Sequence, residues 1–97
     1  LVWESIEKVE GYSISLIPNP TNDFVSVRLQ QLSGYAGSNP NAIVFYNLLG
    51  EKVMSREILA GQQLLNVSVA SLSAGVYLTA ITDEHGNVIG RSRLVKQ

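Results

Sequence analysis

The residues best equipped for chemistry stand together near the end of the chain: Asp83, Glu84 and His85, in "TDEHGN". His85 is the only histidine among 97 residues, so any imidazole-based metal site or proton relay has to use it. Consecutive residues of a strand or turn project in different directions, so these three do not converge on one ion. A metal needs several well-spaced ligands. Gly86-Asn87 marks the stretch as a hairpin tip, poor ground for a preorganised site. No Ser/His/Asp spacing signature accompanies it. Glu7 and Glu10 pair two carboxylates, but in an irregular N-terminal segment that reads as wet surface. Asn66-Val67-Ser68 matches a glycosylation acceptor; two of its residues fall at solvent-facing strand positions, and the match reads as chance. Cysteine is absent, which excludes disulfides and thiolate metal sites. Net charge is −1, with both signs scattered, so there is no basic face for nucleic acid. The residues point to no enzyme and no cofactor.

The surrounding elements explain why these residues are so dispersed. Hydrophobic content is 45% and charged content 15%, which suits one packed domain. No apolar run approaches the ~18–20 residues that span a bilayer. The chain opens on Leu1 without a signal peptide, and is expected to be a fragment of a longer protein. "FVSVRL" alternates, with Val25, Val27 and Leu29 on one face. "LLNVSVA" does the same with Leu65, Val67 and Val69. "AIVFYNL" is apolar on both faces, as a central strand is. "EKVMSREI" alternates loosely, with Val53 and Ile58 expected inward. "VYLTAIT" sets Val76, Leu78 and Ala80 against Tyr77, Thr79 and Ile81. Prolines, Asn22-Asp23, Gly50 and Gly86-Asn87 punctuate these runs. Strands are expected near residues 13–17, 24–30, 42–48, 51–58, 63–69, 76–82 and 87–95, with no convincing helix. Regular short strands with turns between them give an all-β antiparallel sandwich. Residues 1–11 read as a linker or edge segment and 12–97 as the domain.

Four motifs then fall in order. Pro18-Asn19-Pro20 precedes a strand. Phe45-Tyr46-Asn47-Leu48-Leu49-Gly50-Glu51-Lys52 follows, then Leu72-Ser73-Ala74-Gly75-Val76-Tyr77, and last Arg93-Leu94-Val95-Lys96. This series resembles the type A C-terminal sorting domain of the type IX (Por) secretion system of Bacteroidetes. Two positions depart from the family pattern: Asn47 stands where aspartate is common, and Ala74 where proline often precedes the glycine.

The resemblance implies an immunoglobulin-like β-sandwich of about seven strands at the end of a secreted cargo. It implies passage through the periplasm and across the outer membrane, by way of the type IX translocon and its associated shuttle proteins. A sortase-like cysteine peptidase then removes the domain, and the cargo is left at the cell surface or in the medium. Pro18, Asn19, Pro20, Gly50, Gly75, Val76, Tyr77, Arg93, Leu94, Val95 and Lys96 become the sorting-motif candidates.

Each of these has a local physical reading as well. Gly75 suits a turn that enters a strand. Tyr77 covers an edge of the core with a wet hydroxyl. Leu94 and Val95 are strand residues. Lys96, past the last packing residue, is the first choice for direct recognition. Arg91 and Arg93 make one face of the last strand basic. That strand could also add to a partner's sheet. Apolar residues on both faces of some strands leave weak homodimerisation by edge pairing open. The alternative is a carbohydrate-binding or adhesion module, with Trp3, Tyr12 and Tyr35 as its exposed aromatics.

With neither cysteine nor a ligand cluster, the fold is expected to be independent of metal. Circular dichroism melts with and without chelator should superimpose; a large chelator-induced drop in midpoint would sink this expectation.

Overall fold

The computed structural model describes residues 11–97. Trp3, Glu7, Glu10 and the first ten residues of the expected linker lie outside them. Seven strands follow one another: β1 Tyr12–Ile17, β2 Phe24–Gln31, β3 Ala42–Tyr46, β4 Lys52–Glu57, β5 Leu64–Ser68, β6 Gly75–Thr82 and β7 Val88–Lys96. No helix occurs among the described residues.

Two antiparallel sheets face each other, one ordered β1-β2-β5 and the other β4-β3-β6-β7. First, second and fifth strands on one side, with third, sixth and seventh on the other, is the immunoglobulin-like partition. β4 extends the second sheet beside β3.

The alternating residues supply the core. Val25 and Val27 of β2, and Val67 with the following Val69, are fully or almost fully buried. They oppose Ile43, Phe45, Ile81 and Leu94 of the other sheet, which are equally buried. Ser26 of β2 and Asn66 of β5 stand opposite each other on the outer face, where Ser26 Oγ donates to Asn66 Oδ1 at 2.7 Å. β3, paired on both edges, buries Ile43, Val44 and Phe45 consecutively. On β6, Tyr77, Thr79 and Ile81 share the register of the core.

One expected inward residue is corrected. Val53 is exposed, and Met54 takes the buried place. The β3–β4 register shifts between Phe45, opposite Met54, and Tyr46, opposite Lys52. Val53 is thus the extra residue of a bulge, which reverses the alternation read from the sequence. Ile58 is buried as expected.

β1 and β7 close one flank. Gly11 N–H donates to Ile89 O at 2.9 Å, and Gly11 O accepts from Leu32 N–H. A side chain at Gly90 would press to 2.8 Å from the Tyr12 carbonyl oxygen, so that flank requires glycine.

Thr79 Oγ1 is fully buried and has no hydrogen-bond partner among the described residues. A buried unsatisfied hydroxyl costs about 1–3 kcal/mol. Thr79→Val keeps the shape and removes that cost, so it should raise the melting midpoint by several degrees. A lowered midpoint would show that the hydroxyl is satisfied.

Candidate functional site

The sequence motifs, which run from Pro18 to Lys96, meet at one pole of the sandwich. Ile17 ends β1 opposite Ser26, Tyr46 ends β3 opposite Leu78, and Gly75 opens β6 opposite Lys96. These registers place the 18–23 loop, the 47–51 turn, the 69–74 turn and the last residues of the chain side by side.

The tail is held from both sides. Toward the sheet, Gly75–Tyr77 pair antiparallel with Leu94–Lys96. On the outward edge, the loop after β1 takes the place of a further strand. Asn19 Nδ2 donates to Arg93 O at 2.7 Å, and Asn19 Oδ1 accepts from Val95 N–H at 2.9 Å. Thr21 N–H donates to Val95 O at 2.9 Å, and Gln97 N–H donates to Thr21 O at 2.8 Å. Thr21 thereby forms a parallel bridge with Lys96. Thr21 itself is buried, and its hydroxyl donates to Phe24 O, which pins the loop to the start of β2.

The 69–77 turn completes the clasp. Leu72 N–H donates to Val69 O at 3.0 Å, closing the turn, and the Leu72 side chain is buried. Tyr77 Oη donates to Ser73 O at 2.6 Å, the corner by which a tyrosine at the start of the sixth strand ties back the preceding turn. Lys96 Nζ donates to Leu72 O at 3.0 Å.

Gly50 sits two strands from the tail, in the β3–β4 turn, with φ +84°. Asn47 organises this turn: its Oδ1 accepts from Leu49 N–H and Glu51 N–H, and its Nδ2 donates to Glu51 Oε1. An aspartate would supply the same acceptor, so the departure from the family pattern at Asn47 keeps the turn chemistry.

The sequence model of the secretion system C-terminal sorting domain family matches residues 15–97. The chain belongs to that family. No curated protein and no solved structure matches the chain. As a type IX sorting domain, it implies dealings with that secretion machinery and export across the outer membrane.

Within the sorting domain, two expectations change. Lys96 does not lie beyond the packing: it is half-buried, follows Leu94 on the inner face of β7, and caps a main-chain carbonyl. The Tyr77 hydroxyl is not simply wet, because Ser73 O accepts its proton, while the ring is buried. Leu94 is fully buried and Val95 half-buried, as strand residues. Arg91 and Arg93 share the outer face of the four-stranded sheet, opposite Ala80 and Leu78. Pro18, Asn19 and Pro20 are exposed, and Val76 is half-buried opposite Val95. Sequence reasoning missed Thr21 and the carbonyl of Leu72. Their roles are main-chain roles, which residue type does not announce.

The remaining candidates lie elsewhere and serve local structure. The Asp83 carboxylate accepts from Ser38 Oγ at 2.8 Å and from the His85 and Asn87 amides at 2.9 Å each. These bonds, the Ser38 one foremost, hold its pKa at about 2 against the opposing effect of desolvation. His85 is exposed beside Glu84, at 3.6 Å. No group of three metal-ligating residues occurs among the described residues. Tyr12 is buried and Tyr35 half-buried, their rings packed edge to face at 5.6 Å. Neither offers the exposed aromatic that a carbohydrate-binding face requires.

Gly75 generates a sharp expectation. Its φ of +154° lies where side chains are strained, while a Cβ there would meet nothing within 4 Å. Backbone conformation, not space, therefore demands glycine. Gly75→Ala and Gly75→Val should each lower stability by about 1–3 kcal/mol. If chemical denaturation gave parental stability for both, the residue would be required by a partner and not by the fold.

Proposed function

We propose that the domain is an address label and catalyses nothing. It directs the cargo that precedes it from the periplasm through the type IX translocon, handed on by associated shuttle proteins. A sortase-like cysteine peptidase then removes it, and the cargo is attached at the surface or released. The observation that carries this reading is the convergence of the family's motifs on one pole. Pro18-Asn19-Pro20, the Gly75 turn and Arg93–Lys96 are joined there by hydrogen bonds into a single surface around the tail. Segments so far apart in sequence then offer the machinery one continuous surface to handle.

The test is a fusion of the full chain behind a periplasm-targeted reporter, in a type IX-competent host. The reporter should reach the surface or medium, and should remain periplasmic when Leu94–Gln97 are removed. Periplasmic retention of the intact, folded fusion would refute the proposal, as would undiminished export of the shortened one.

A further inference from the structure

A strand at the edge of a sheet presents a row of unpaired N–H and C=O groups, open to any chain that pairs with it. β7 is such an edge in the four-stranded sheet. Over its last residues, however, the outward groups are engaged. Arg93 O and Val95 N–H are bonded to the two ends of the Asn19 carboxamide, and Val95 O and Gln97 N–H to the main chain of Thr21. Asn19 is exposed, so its side chain contributes little packing. Both its functional groups are spent on main chain 74 and 76 residues away. The flanking Pro18 and Pro20 fix φ on either side of it and carry no N–H that could compete for the tail.

We propose that Asn19 is the positioning residue of the sorting signal: its carboxamide clamps the main chain of Arg93–Val95, closing that edge to strand addition, so that the tail is read through the outward side chains of Arg93 and Val95. This rests on the reading that the tail pole is handled by the secretion machinery. It narrows that reading, because docking by strand addition along these residues is blocked while the clamp is closed. The outward faces of Arg93 and Val95 are aligned with Leu78 and Val76 of β6, which gives the partner a flat cationic and apolar patch to match.

The core does not depend on the clamp, since Leu94 faces inward and remains paired with Tyr77 of β6. Fold and presentation are therefore separable by substitution. In the full chain, Asn19→Ala should leave the domain folded with a cooperative transition, its midpoint lowered by several degrees at most, as the loss of one or two side-chain hydrogen bonds does. Protection of the Val95 amide against hydrogen exchange should fall about tenfold, the loss expected for one hydrogen bond. Export of the reporter fusion should fall severalfold, because the contacts that hold the Arg93–Val95 edge closed are missing. Asn19→Asp keeps the acceptor for Val95 N–H and loses the donor to Arg93 O, so both readouts should lie between those of the parent and Asn19→Ala.

Parental export by Asn19→Ala despite fast Val95 exchange would overturn the proposal. So would unchanged Val95 exchange, or an export loss matched by a large drop in midpoint. Retention of the parent fusion itself would instead overturn the sorting reading on which the proposal stands, and the proposal with it.

Discussion

The structure depends on the pairing of the last strand on both of its edges. β7 supplies Leu94 to the core, lines the flank where Gly90 admits β1, and ends between β6 and the loop that follows β1. The β6 pairing and Leu94 secure the fold, and the loop contacts complete the outer edge. Without the 18–21 loop, the end of β7 would be an unpaired edge; without β7, the same loop would lose the main chain that orients it. Leu94 also has no substitute in the core, because the residues beside it on β7, Arg93 and Val95, point outward. A small sandwich has little stability in reserve, so a fully buried leucine matters to the whole.

The loops follow one rule: side-chain oxygens stand in for absent strand partners. Asn47 and Asp83 each accept from amides two and four residues ahead, and each spans a turn with a glycine at positive φ. Gln62 does the same work between β4 and β5, accepting from Leu59 N–H at 3.0 Å. Asn19 differs in reach. Asn47 and Gln62 shape their own turns, and Asp83 adds one bond from Ser38, whereas both Asn19 bonds go to the main chain of a different strand far along the chain. That contrast separates a residue that builds a turn from one that joins two parts of the domain.

Most of the architecture was legible because period-two alternation is a local property. Val25, Val27 and Leu29, or Leu65 and Val67, declare their faces within a few residues, and turn signals at Gly50 and Gly86 bound the runs. Val53 was misread because a bulge changes the count by one, and the sequence carries no mark of it. Lys96 was misread because its partner is a backbone carbonyl in a turn 24 residues upstream. The clamp was illegible for the same reason: main-chain partners have no residue type, and only the fold brings position 19 to position 95. The pole was visible as a set of motifs in order; their common location was not.

The placement of β7 also sets a timetable. Three of the strands in its sheet can be made and paired while it is still unsynthesised, but β6 then keeps an open edge and the core lacks Leu94. The contacts that finish the domain span most of its length, and such non-local closure is slow. A chain interrupted anywhere before Leu94 therefore cannot attain the closed form. The edge is sealed only when residues 93–97 lie beside the 19–21 loop. Until β7 is in place, the outward N–H and C=O groups of β6 have no strand to pair with.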